Sequence, residues 1–172
     1  MILCAYKICS YKEMPVGEIR YGVLSPAETA GMTGRQIMQA IIDGLLPQPP
    51  ICEALTFRLT EIGDGTAVFE GEPGPHLLNP MGGVHGGWVL TLIDSAGGCA
   101  GLSTLPAGSL FTTLETKANF TRPITPTTGP VKAEAQVIGR GRQVMSAEVR
   151  VFAADRKVLA HGTTTLLAVP AP

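Results

Sequence analysis

Apolar and polar positions change their spacing several times along the chain, and each change marks a predicted element. Up to about residue 30, Pro15, Gly17, Gly22, Pro26 and Gly31 recur too often for regular structure. Residues 1–32 therefore read as a poorly ordered N-terminal extension. From Thr33, a residue suited to capping, Ile37, Met38, Ile41 and Ile42 recur at helical spacing until Gly44 and the run Pro47-Gln48-Pro49-Pro50 end the helix. Two strand-like runs follow, 54–61 and 66–72, and the Asp64-Gly65 pair between them favours a hairpin. A glycine-rich turn over 79–87 then feeds an apolar stretch that predicts one long helix, from near His85 to before Pro106.

Gly97, Gly98 and Gly101 fall inside that helix. Each costs roughly 1 kcal/mol against alanine in a helix interior, so three together imply a very close neighbour. After Pro106-Ala107-Gly108 the period becomes two. Leu114, Thr116, Ala118 and Phe120 are expected on one face, and Thr113, Glu115, Lys117 and Asn119 on the other. Residues 122–130 form a loop, and three further strand runs, 131–138, 143–153 and 158–169, complete the chain. In the middle run Met145, Ala147, Val149 and Val151 alternate with Ser146, Glu148 and Arg150, the pattern of a half-buried antiparallel strand. A very apolar helix among six strands has to be covered. The economical arrangement is an α+β domain in which one antiparallel sheet curls around the helix. Its open edge invites pairing with a second copy.

At 172 residues the chain suits a single domain, assigned to 33–172. Thirteen Lys and Arg against 14 Asp and Glu argue against binding nucleic acid or a membrane surface through bulk charge. Lys7 and Lys12 interrupt the apolar N-terminus, so no signal peptide is expected. The apolar segment from Trp88 to Leu105 has an acid mid-span and no basic flanks, and reads as a buried helix rather than a membrane span. The four cysteines have no metal-ligand spacing; Cys99 reads as a core residue, and reduced thiols fit a cytoplasmic protein.

The chemistry concentrates in one place. From Leu77 to Leu114, Asp94 is the only formally charged side chain, and it lies nine positions after His85. Burying a carboxylate costs several kcal/mol unless it is paired or hydrogen-bonded, and catalysis is one reason to bear that cost. Gly86 and Gly87 fall where the helix begins, so free N–H groups and the positive end of the helix dipole are available to a substrate carbonyl. A tight turn without a ligand is the alternative for the glycines, and a capping or hydrogen-bonding role is the alternative for Asp94. Trp88, Leu92 and Cys99 lie on a different helical face from Asp94; Trp88 suits either the core or a pocket wall. Arg140 and Arg142 flank Gly141 in a hairpin-like turn and suit phosphates, with a solvated turn as the alternative.

Asn79, Gly82, His85, Gly86, Gly87 and Asp94, in this order and spacing, resemble the acyl-CoA thioesterases of the hotdog-fold superfamily, in particular the phenylacetate-degradation type. The resemblance runs on through Ser95 and Ala96, residues 112–115, Asn119-Phe120-Thr121-Arg122-Pro123, residues 139–142, and Ala160 and Thr165 of the last strand, covering about 34–169. It implies a hotdog fold and hydrolysis of an acyl- or aroyl-coenzyme A to free acid and thiol. It implies that Gly86 N–H polarises the carbonyl and that Asp94, facing the glycine turn of a partner subunit, acts as general base or nucleophile. Asn79 and His85 would orient carbonyl or water, although a lone histidine equally suits a structural role. The family also places a polar residue at the start of the strand after the helix. Thr113 and Thr112 both qualify, on opposite faces, and Thr113 is preferred. Gly87, Thr112, Trp88, Arg140 and Arg142 are the candidate substrate and coenzyme A contacts.

No metal or redox cofactor is implied, coenzyme A being part of the substrate. The expected assembly is a homodimer, required for the site, within a homotetramer. A non-catalytic acyl-CoA-binding module, sensor or regulator, is the alternative from another class. An enoyl-CoA hydratase of the same superfamily fits less well, since its Asp and His are about five apart and in the opposite order.

Overall fold

The computed structural model of the chain describes residues 19–170. Residues 1–18 of the expected N-terminal extension lie outside that range. The remainder carries local order: Gly22 N–H donates to the Gln48 carbonyl at 2.9 Å, and Ser25 and Glu28 cap a single turn, α1 (Pro26–Thr29), reciprocally.

Helix α2 (Gly34–Ile42) starts where Thr33 predicts. The Thr33 hydroxyl accepts from Gln36 N–H, and the Gln36 side chain accepts in return from Thr33 N–H at 2.8 Å, a capping box. Ile37, Met38 and Ile41 enter the core, while Ile42 is half-buried. The next run differs from expectation. Pro49 and Pro50 do not merely end a helix; Pro50 opens a short one, α3 (Pro50–Ala54), because proline suits the first helical position. The first strand is thereby delayed from 54 to 57.

Strands β1 (Phe57–Gly63) and β2 (Thr66–Gly71) form the predicted hairpin, with Gly63 opposite Thr66 and Gly65 at a φ of 70°. After a 3-10 turn at Pro75–Leu77 comes α4 (Gly86–Leu102). Strands β3 (Ser109–Phe120), β4 (Val131–Arg140), β5 (Val144–Phe152) and β6 (Val158–Pro170) follow. All six strands form one antiparallel sheet in the order β1-β2-β4-β5-β6-β3. The sheet curls around α4, so the hotdog expectation holds. Trp88, Val89, Leu92, Ile93, Ala96 and Ala100 of α4 are all at most 3% exposed against it.

The three helix glycines admit the sheet, as expected of a close neighbour, but the neighbour is side chains. A Cβ at Gly97 would run into Thr164 Cγ2, one at Gly101 into Leu166 Cδ1, and one at Gly98 would lie 2.7 Å from the Phe111 ring. β3 departs from strict alternation. Thr113 pairs with Leu166 and Glu115 with Thr165, so Leu114 is an extra residue, a β-bulge. Before the bulge Phe111 and Thr113 face α4; after it Thr116 and Ala118 do. Leu114 is thereby split from the expected face and is 56% exposed, while Thr116, Ala118 and Phe120 stay in phase, the Phe120 ring lying beside Gly86 at the start of α4.

Candidate active site

The turn before α4 is built by its own residues. Asn79 Oδ1 accepts from Met81 N–H at 2.9 Å and Gly83 N–H at 3.3 Å, and Asn79 N–H donates to the Gly83 carbonyl at 2.8 Å. Gly82 takes a φ of 83°, a left-handed conformation that favours glycine. His85 then caps α4: its backbone N–H donates to the Leu77 carbonyl at 2.7 Å, and its Nδ1 accepts from Gly87 N–H at 2.9 Å. That bond occupies the second amide of the helix and leaves the first. Gly86 N–H meets no acceptor among the described residues, and the Phe120 ring lies beside Gly86. The expected donor is thus unpaired and at the positive helix end, whereas Gly87 N–H serves the cap.

Asp94 sits two turns further along, half-buried. One carboxylate oxygen, Oδ1, accepts from Thr113 Oγ1 at 3.0 Å and Thr116 Oγ1 at 2.8 Å. Oδ2 accepts no hydrogen bond among the described residues, nor is it among the polar atoms sealed without a partner. The choice between the two threonines therefore has a geometric answer. Thr113 turns to Asp94, and Thr112 is exposed on the other face. Beside them, burial pushes the Cys99 thiol up to about 12, with the neighbouring Cys52 and Asp94 adding to the effect. Among the described residues no three His, Cys, Asp or Glu side chains gather in a way that could hold a metal ion.

Asn79, His85, Gly86 and Gly87 thus share one end of α4, and Asp94 and Thr113 share its middle. Eight residues of helix separate Gly86 from Asp94, about 12 Å of rise. Trp88 belongs to neither group. It is 3% exposed, packs on Gly71, and donates its Nε1 proton to the Leu55 carbonyl at 2.7 Å, so it is core rather than pocket wall. The reason is its spacing from Leu92, which puts it on the sheet-facing side of α4. Arg140 and Arg142 lie exposed at the β4–β5 turn. Arg140 pairs with Met145, Met145 with Leu166 and Leu166 with Thr113, a single row across the sheet. The two arginines are accordingly on the Asp94 side of the molecule, away from the glycine turn of their own chain.

Two hydroxyls went unnoticed in the sequence. Thr116 was expected on the face opposite Thr113, and Thr164 was unassigned. Both belong to the Asp94 cluster, because the bulge at Leu114 re-phases β3 and because Gly97 leaves room for Thr164.

The Thioesterase superfamily family model matches residues 81–160, the stretch from the glycine turn to the start of β6. None of the curated proteins compared matches the chain. Among solved structures, a conserved protein of Pseudomonas aeruginosa is 30% identical, with a TM-score of 0.65 over 70% of this chain and 94% of its own. The phenylacetic acid degradation protein PaaI from Thermus thermophilus, as a mutant, is 28% identical, with a TM-score of 0.62 over 69% of this chain and 97% of its own. A thioesterase from Haemophilus influenzae, 21% identical, shares the fold at a TM-score of 0.67 over 83% of this chain and 94% of its own. With this fold, the unpaired amide at the helix start and the clamped acid within the helix, the chain belongs to the thioesterase superfamily and is a thioester hydrolase.

Proposed function

We propose that the chain hydrolyses an acyl- or aroyl-coenzyme A in a site shared by two copies. The observation that carries this reading is the separation of its two chemical halves. Gly86 and Asp94 are separated by about 12 Å of rise along one helix, two full turns, which keeps the amide and the carboxylate of one chain from acting on one carbonyl. Each half is nonetheless prepared for the same reaction, one as an unpaired donor and the other as an oriented acid. A second copy that brings its Asp94 to the first copy's turn reconciles them. The exposed edge strand β3, with Leu114 outward, is a suitable seam for such a homodimer, which pairs again into a tetramer.

In this reading the thioester oxygen takes the Gly86 N–H, a donor typically worth about 3 kcal/mol of transition-state stabilisation. Asp94 Oδ2, acting as general base, removes a proton from water. The hydroxide adds to the carbonyl carbon, and collapse of the tetrahedral adduct breaks the C–S bond and expels the coenzyme A thiolate. Direct attack by Asp94, followed by hydrolysis of the resulting anhydride, uses the same two groups. Thr113 fixes the carboxylate, and Asn79 and His85 shape the turn that presents the amide. Arg140 and Arg142 take the phosphates of coenzyme A. The reading needs no further cofactor and places the protein in the cytoplasm.

A hydrolysis screen over aromatic, short and long acyl-coenzyme A esters, run beside Asp94→Asn, tests it. Turnover of at least one class, lowered about a hundredfold or more in the variant with its fold intact, is the expected result. A variant as fast as the parent would overturn the assignment. Tight ester binding with no turnover anywhere would favour a sensor.

A further inference from the structure

Behind Asp94 the hydrogen bonds continue away from the solvent. Thr116 Oγ1, which donates to Asp94 Oδ1 at 2.8 Å, lies 2.9 Å from Thr164 Oγ1. Thr164 is 1% exposed and lies 3.1 Å from the Glu115 carbonyl, to which its hydroxyl donates. Each hydroxyl has a single proton. With the proton of Thr116 committed to the carboxylate, only Thr164 can donate across the contact between them, sharing its proton with the Glu115 carbonyl. The chain of donors therefore points one way, from Thr164 through Thr116 to Asp94. A buried threonine hydroxyl next to a helix is costly unless it is satisfied, and the helix has given up a side chain at Gly97 to admit this one.

From this geometry we infer that the Thr116–Thr164 pair is a positioning device for the reaction. It holds Asp94 Oδ1 and thereby assigns Oδ2 as the oxygen that meets water or the acyl carbon. The inference rests on the proposed role of Asp94 and extends it. Thr113 alone would leave the carboxylate one restraint, about which it could swing. A second donor on the same oxygen, itself locked by a buried hydroxyl, fixes the plane of the carboxylate and the direction of its free oxygen. The β-bulge at Leu114 makes this possible, since without it Thr113 and Thr116 would leave opposite faces of β3.

The experiment is a set of steady-state measurements on the full chain with the best coenzyme A ester found. Thr116→Val keeps the shape of the side chain and removes the hydroxyl; Thr116→Ser keeps the hydroxyl and removes the methyl. The inference expects kcat to fall about tenfold in Thr116→Val with KM within twofold of the parent, and to recover within about threefold in Thr116→Ser. Thr164→Val should lower kcat by a smaller factor in the same direction. Thermal unfolding of each variant guards against loss of fold. Parental kcat in Thr116→Val, or equal losses in the Val and Ser variants, would overturn the positioning role. Asp94→Asn run alongside separates the two claims. If that variant is slow while Thr116→Val is normal, Asp94 acts and the pair does not position it. If Asp94→Asn is as fast as the parent, the underlying assignment fails.

Discussion

His85 Nδ1 accepts the N–H of Gly87 at 2.9 Å, so the histidine that precedes the helix closes its second amide and leaves the first open. The histidine therefore has a structural task whatever it also does for a substrate.

His85→Ala removes that cap. Loss of an N-cap acceptor costs about 1 kcal/mol, a fall in Tm of roughly 2–4 °C for a chain of this size. His85→Asn, which keeps a side-chain acceptor near the same amide, should retain most of the stability. Thermal unfolding of the two variants checks the order. If both lose activity alike while differing in Tm, the imidazole has a role beyond the cap.

Gly86 occupies the first position of α4, where proline is tolerated, and His85 before it has an extended backbone at φ −64° and ψ 131°, which proline also requires. Gly86→Pro should therefore remove the amide proton and keep the helix. On its own this variant should be nearly inactive, as should Asp94→Asn. Unfolded together and refolded as a mixture, they should regain about a quarter of the parental rate. Half of the dimers are mixed, and each mixed dimer has one site with both an intact amide and an intact acid. No recovery on mixing, in a sample shown to contain mixed dimers, would mean that each chain completes its own site.

Thr113 and Thr112 are neighbours with opposite fates. Thr113→Val removes a hydrogen bond to a carboxylate and should lower kcat about tenfold or more. Thr112→Val, on the exposed face, should leave kcat within about twofold. Parallel kinetics on the pair check this, and the reverse order would make Thr112 rather than Thr113 the residue that holds Asp94.

Gly97→Ala and Gly101→Ala both force a methyl group into the sheet and should each cost about 1–3 kcal/mol. They differ in what they strike. The methyl at position 97 meets Thr164 and should also depress kcat; the one at 101 meets the apolar Leu166 and should act mainly on stability. Denaturant unfolding and kcat measured together distinguish the two.

Much of this was legible in the chain. Helical spacing from Ile37 to Ile42, the Asp64-Gly65 hairpin and the single charge at Asp94 each follow local rules, and each is where those rules put it. The start of β1 was missed because the prolines at 49 and 50 serve equally to end one helix and to begin another. The faces of β3 were missed for a deeper reason. No glycine or proline marks the bulge at Leu114; it arises from the pairing of β3 with β6, a relation between residues about fifty positions apart. The places of Thr116 and Thr164 depend on that register and were out of reach for the same reason. Trp88 was ambiguous in sequence because a large amphipathic ring suits either environment; its indole proton, taken by Leu55, decides for the core.

Five glycines among the 17 residues of α4 make it a poor helix on its own. Cut out as a peptide, it should be largely coil in water. Its helicity in the protein is lent by the sheet that wraps it, and the sheet in turn has no core without it. The geometry of the candidate site is thus a property of the whole cooperative unit. As the protein is heated, activity should vanish along the same transition as the tertiary structure, with no partly melted form in which the site survives.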